Sequence, residues 1–135
     1  MPEDLVEQTR SGYDAWNRGD TGWFDENLTD DVEVRTVLGL FPDLDEAYRG
    51  QEEFWKFWEV FRSAWSSIDI EVEQIEPVSD CEVEAIVRFD GVGRESGVEA
   101  SLTFAHSLAY RDGKLYRLRV DMPNEGEKKL GQPAL

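Results

Sequence analysis

The chain has 135 residues, enough for one domain with a buried core. Apolar residues make up 40% and aromatic residues 12%, which is a globular composition and excludes a disordered one. Lysine and arginine number 14 against 30 aspartate and glutamate, a formal charge of −16 that argues against nucleic acid and anionic membrane surfaces as partners.

The opening residues MPEDLVEQ are acidic and lack the basic and apolar regions of a signal peptide. From Glu3 to Arg18, Leu5, Val6, Tyr13 and Trp16 recur at helical spacing, with Thr9 and Gly12 on the same stripe. Gly19 suits a C-cap, and Asp20 or Thr21 can cap a short second helix carrying Trp23, Phe24 and Leu28. TDDVEVRTVL then alternates: Val32, Val34, Thr36 and Leu38 point one way, Glu33 and Arg35 the other, as in a half-buried strand. Residues 39–50 read as a long loop with Phe41, Leu44 and Tyr48. After Gly50, Phe54, Trp55, Phe57, Trp58, Phe61, Ala64 and Trp65 form the broad apolar face of a third helix. Strand-like runs follow at 68–76, 82–90, 98–110 and 114–122. GVGRESG, residues 91–97, lies between two of them and reads as a hairpin connection rather than a nucleotide loop. No apolar run approaches the roughly 20 residues of a membrane span.

The single cysteine, Cys81, cannot form an internal disulfide, so a reducing cytoplasm is the expected setting. One histidine and one cysteine cannot supply a nitrogen- or sulfur-rich metal site, and neither metal nor cofactor is expected. The strands succeed one another without intervening helices. The order predicts an α+β domain over residues 1–122 with an antiparallel sheet, followed by a polar tail at 123–135 expected to be flexible.

His106, the only histidine, sits in TFAHSLAYRDGKLYRLRVDM, residues 103–122. A two-residue Asp112-Gly113 turn would set His106 opposite Arg119 and Phe104 opposite Asp121. A three-residue Arg111-Asp112-Gly113 turn sets His106 opposite Leu118, Phe104 opposite Val120 and Leu108 opposite Tyr116. The second register gathers Leu102, Phe104, His106, Leu108, Tyr110, Tyr116, Leu118, Val120 and Met122 on one face. Thr103, Ser107, Arg117, Arg119 and Asp121 take the other. A slip of one residue exchanges the faces, so the cleaner segregation favours the three-residue turn and a buried His106.

AWNRGD (15–20) closing the first helix, LTDDVEVRT (28–36) entering the first strand, YRGQEEFWKFW (48–58) opening the third helix and AYRDGKLYRLRV (109–120) in the last hairpin occur in the order of a known superfamily. In these features the chain resembles the SnoaL-like proteins of the NTF2-like (cystatin-like) superfamily over residues 3 to 122. The resemblance implies a cone in which a strongly curved antiparallel sheet wraps three N-terminal helices around an apolar pocket, with the open sheet face forming a homodimer. It also implies a small apolar molecule as partner. Activities in the superfamily include isomerases, dehydratases and cyclases that need no cofactor, alongside non-catalytic binding proteins. Set against ketosteroid isomerase, its base aspartate falls at Thr36, its oxyanion tyrosine near Gly12 and its protonated aspartate at or beside His106. Set against polyketide cyclases, Asp121 matches a pocket aspartate, but the favoured register turns it outward.

The expected site therefore has His106 as the acid, base or polarising group. Tyr13, Trp16, Thr36, Tyr48, Trp58, Phe104 and Leu118 are expected to bind the substrate, with Trp23 and Trp55 as further aromatic candidates. An orienting partner for His106 is not plain in the sequence; Asp43 and Asp45, in the long loop, are candidates. A cofactor-independent cyclase, isomerase or dehydratase, a non-catalytic binder and a dimerisation domain all fit these residues.

Overall fold

The computed structural model describes residues 2–36 and 47–122. Three helices, α1 (Pro2–Arg18), α2 (Thr21–Asn27) and α3 (Gly50–Ser63), accompany six strands. These are β1 (Leu28–Arg35), β2 (Ala47–Arg49), β3 (Trp65–Ser79), β4 (Glu82–Gly93), β5 (Glu99–Arg111) and β6 (Lys114–Asp121). Leu38, Phe41, Asp43, Leu44, Asp45 and the tail at 123–135 lie outside the described residues.

The expected caps are present. Gly19 adopts φ 72° and donates to the Trp16 carbonyl at 3.1 Å, while the Asp20 amide reaches the Ala15 carbonyl at 2.8 Å. These paired bonds close α1 and leave the Asp20 side chain to accept from Gly22 N at 3.0 Å, opening α2 at once. At the start of α3, the Glu53 carboxylate accepts the Arg49 amide at 2.7 Å. Glu52 and Glu53 thus stand by the positive end of the helix dipole.

The strands form one sheet in the order β2-β1-β6-β5-β4-β3. The expectation of a wholly antiparallel sheet needs one correction, because β1 and β6 run parallel. The path through α3 and four strands supplies the long crossover that a parallel neighbour requires. A second addition is β2, a three-residue strand at the end of the stretch read as loop. Bulges in β3 near Ser66, Glu73 and Val78 bend the sheet around the helices. At the β3 edge, the Asn17 amide donates to the Ile70 carbonyl at 2.9 Å and accepts its N–H at 2.8 Å, standing in for a missing strand.

Val32, Val34, Val83, Val87 and Phe89 are fully buried on the inner face, each contributing about 1.5–3 kcal/mol by leaving water. Against them lie the rings of α1, α2 and α3. The Phe61 ring stands 5.6 Å from Phe89, and that of Trp65 stands 4.9 Å from it.

The last hairpin departs from expectation in an instructive way. Arg111 pairs with Lys114, so the turn has two residues, and both Asp112 (φ 53°) and Gly113 (φ 80°) take the left-handed conformation of a type I′ turn. Further along, Ala109 pairs with Arg117 and Tyr110 with Leu115, leaving Tyr116 as an extra residue in β6. That bulge restores the segregation which the bare two-residue turn would destroy. His106 lies opposite Val120, not Leu118, and Leu108 lies opposite Leu118, not Tyr116. Tyr116 turns to the outer face, where the Arg111 guanidinium covers its ring at 4.9 Å. Met122, also expected on the buried face, is exposed past the end of β6.

Candidate functional site

A cavity of about 120 Å³ lies between α1, α2, α3 and the inner face of the sheet. Its wall is almost wholly apolar, and it contains His106. Four-residue spacing on α1 brings Thr9 and Tyr13 onto one stripe, and alternation along β5 brings Phe104, His106, Leu108 and Tyr110 onto the facing surface.

The polar centre is a pair. Tyr13 Oη stands 2.7 Å from His106 Nδ1, and the rings are stacked with centroids 5.7 Å apart. The Phe104 ring also stacks with the imidazole, its centroid 6.4 Å away and its plane inclined by 23°. Burial without a counter-charge pulls the His106 pKa down to about 4, so the ring is neutral at physiological pH. Burial, reinforced by nearby Tyr110, pushes the Tyr13 phenol well above its ordinary range. Tyr13 therefore keeps its proton, and among the described residues His106 Nδ1 is the one hydrogen-bond partner that its hydroxyl has. Tyr13 donates and Nδ1 accepts. A neutral imidazole that accepts at Nδ1 carries its proton on Nε2, which has no protein partner among the described residues. That N–H belongs to a residue lining an apolar cavity.

A second polar pair occupies the same cavity wall. Thr9 Oγ1 donates to the Leu5 carbonyl at 2.7 Å and lies 2.6 Å from Tyr110 Oη. Burial raises the Tyr110 pKa to about 12, against the lowering effect of the Thr9 hydrogen bond.

Of the residues expected to bind substrate, Tyr13, Trp16, Thr36, Phe104 and Leu118 line the cavity with His106, as does Trp23. Tyr48 and Trp58 do not. The Tyr48 ring lies behind the wall, 5.3 Å from Phe57, and Trp58 stands edge-on to Trp16 at 4.9 Å and to Phe24 at 5.0 Å. Trp55 packs on Phe54 and Trp58, also in this second layer. Arg62 holds the wall from outside, with its guanidinium over the faces of Trp16 and Trp58 and Nη1 donating to the Trp16 carbonyl at 2.7 Å. Asp121 pairs with Ala105 on the outer face and is no part of the site. Gly12, set against an oxyanion tyrosine, instead gives room to the Trp23 ring, and the next residue, Tyr13, brings the phenol to the site. The Tyr13 and Thr9–Tyr110 contacts went unread in the sequence, whose one available signal was the polar pair Thr9 and Tyr13 on an otherwise apolar stripe.

Among the described residues, no group of three or more His, Cys, Asp or Glu side chains is disposed to hold a metal ion, and no helix is long and apolar enough to cross a membrane.

No match is found among curated proteins. Solved structures share the fold. An NTF2-like protein of unknown function from Burkholderia pseudomallei is 18% identical, covers 96% of this chain and 98% of its own, and superposes with a TM-score of 0.80. A putative SnoaL-like polyketide cyclase from Jannaschia sp. CCS1 is 17% identical over 89% of this chain and 85% of its own, with a TM-score of 0.77. TerC, co-crystallised with polyporic acid, is 19% identical over 87% of this chain and 89% of its own, also at 0.77. The family model of the SnoaL-like domain matches residues 9–118, well over half of the chain, and the protein belongs to that family.

Proposed function

We propose that this protein binds a small, neutral, mostly apolar molecule in its cavity, with the His106 Nε2–H as the polar contact that orients it. The observation that carries this reading is the Tyr13–His106 hydrogen bond within an otherwise apolar wall. A cavity of this size suits one ring-sized molecule. Among the described residues the lining holds no lysine or arginine and its one imidazole is neutral, which favours a carbonyl or ether oxygen over a carboxylate. Membership of the SnoaL-like family, and the co-crystallisation of the similar TerC with polyporic acid, support a ligand-binding cavity.

A cyclase, isomerase or dehydratase is the second reading, and the same pair favours it. A hydrogen bond from Nε2–H polarises a ligand carbonyl, and it strengthens as negative charge develops on that oxygen. His106 acts then as a donor and not as a base, since its free lone pair is engaged by Tyr13.

The same proposal includes a homodimer through the outer sheet face. One cross-strand row runs Arg35, Arg119, Ser107, Glu84, Glu76, basic at one end and acidic at the other. A two-fold axis through the middle of this row sets the arginines of each copy over the glutamates of the other. A cytoplasmic setting belongs to the reading too, supported by the unpaired Cys81.

A thermal-shift screen with ring-sized neutral carbonyl compounds tests the ligand. Stabilisation is expected for the wild type and not for Leu118→Trp, whose larger ring occupies the cavity. Absence of any stabilisation in the wild type overturns the reading.

A further inference from the structure

The two polar pairs in the cavity have opposite hydrogen-bond polarity. Thr9 has one hydroxyl proton and spends it on the Leu5 carbonyl at 2.7 Å, since a carbonyl can only accept. In the 2.6 Å contact between Thr9 Oγ1 and Tyr110 Oη, Tyr110 must then be the donor. Protons in this chain run away from the cavity, from Tyr110 to Thr9 to the backbone of α1. The Tyr110 oxygen keeps lone pairs and no free proton. At the other pair the sense is reversed, because Tyr13 gives its proton to His106 Nδ1 and leaves a proton on Nε2. Thr9, Tyr13, His106 and Tyr110 all line the one cavity. The Tyr110 hydroxyl is close enough for its charge to be felt at Tyr13.

We infer that the cavity has a donor pole at His106 Nε2 and an acceptor pole at Tyr110 Oη, and that its ligand is a neutral hydroxy-carbonyl compound bridging the two. The carbonyl oxygen takes the His106 proton, and the ligand hydroxyl gives its proton to Tyr110. Thr9 is the positioning residue for the acceptor pole: it touches no ligand atom in this role, but it fixes which way the Tyr110 proton points. This inference rests on the reading of the cavity as a ligand site and adds the polarity of its ligand.

Benzaldehyde and the three hydroxybenzaldehyde isomers serve as probes, titrated calorimetrically in mildly acidic buffer where the phenol is un-ionised. At least one isomer is expected to bind about tenfold more tightly than benzaldehyde, the worth of one neutral hydrogen bond. Thr9→Val keeps the side-chain shape and removes the acceptor for the Tyr110 proton, which is then free to turn into the cavity. The hydroxyl preference should fall to about onefold or reverse in this variant, and Tyr110→Phe should also abolish it. Binding of all four probes with equal affinity, or a preference unmoved in both variants, overturns the inference while leaving the cavity a ligand site. If none of the four binds, the ligand-site reading falls and the polarity falls with it.

Discussion

Tyr13 Oη lies 2.7 Å from His106 Nδ1, a contact across 93 residues of sequence that decides which nitrogen of the imidazole carries the proton. Without it, both tautomers of a neutral ring would be available, and the cavity would offer a donor in one and an acceptor in the other. Tyr13→Phe removes the hydroxyl and leaves Nδ1 buried without its donor. The variant should lose about 1–3 kcal/mol in urea denaturation, the cost of an unsatisfied buried polar atom. It should also show a mixture of tautomers at His106. Unchanged stability together with a single Nε2–H tautomer would show that Tyr13 does not set the proton.

The acid limb of the stability profile follows from burial of His106. Its pKa is about 4 in the folded protein and 6.5 ordinarily. As pH falls below about 6.5 the unfolded chain takes up a proton on this ring, whereas the folded protein does so only near 4. The neutral imidazole's contribution is therefore complete above the higher value, shrinks through the interval and is gone below the lower one. The displacement corresponds to about 3 kcal/mol. His106→Gln has no proton to bind, so the wild type should lose about that much more than the variant across the same interval. Equal losses in urea titrations of the two proteins would contradict the account.

Gly12→Ala tests the cavity wall. Alanine in a helix interior ordinarily gains about 0.5–1 kcal/mol over glycine. Here a Cβ would stand 2.7 Å from Trp23 Cη2 and 3.0 Å from Cζ2, so the ring must tilt. Trp23 lines the cavity, and its movement should cancel the helical gain and weaken ligand binding. A raised melting temperature with unchanged affinity would mean that Trp23 shifts freely.

Much of the fold was legible because its signals are local. Gly19 and Asp20 announce the α1–α2 corner by side-chain chemistry alone, and the alternation of Val32, Glu33, Val34 and Arg35 announces β1. The faces of the last hairpin were legible even though its turn was misread. A three-residue turn and a two-residue turn with a bulge at Tyr116 have the same parity, and the apolar pattern reports only parity. The site was less legible. Tyr13 meets His106, and Thr9 meets Tyr110, only once α1 is laid across β5. Four helical residues rise about 6 Å and four strand residues about 13 Å, so tyrosine side chains must span the difference. Nothing in the sequence states that reach. Which aromatic rings line the cavity was equally hidden, because the third helix is apolar around much of its circumference. Its rotation puts Phe54, Phe57 and Phe61 on the cavity and Trp58 behind it.

The charge row on the outer face gives the dimer its test. Sedimentation equilibrium should give twice the 15.5 kDa chain mass at low salt. Raised ionic strength should weaken the association, because the complementary charges of the row sit on an exposed face where salt screens them. Arg119→Glu, which reverses one end of the row, should give monomer at the same concentration. A species at 15.5 kDa in wild-type protein at low salt would rule out the dimer.

His106 is the only histidine in the chain, so its ring nitrogens give one unambiguous set of signals in a long-range nitrogen–proton NMR spectrum. That spectrum should show a neutral ring, protonated on Nε2, that does not titrate near 6.5 and whose Nε2–H signal shifts when benzaldehyde is added, as a donor set by Tyr13 requires. A ring protonated on Nδ1, a titration at the ordinary value, or an Nε2–H signal indifferent to saturating carbonyl probe would contradict that arrangement.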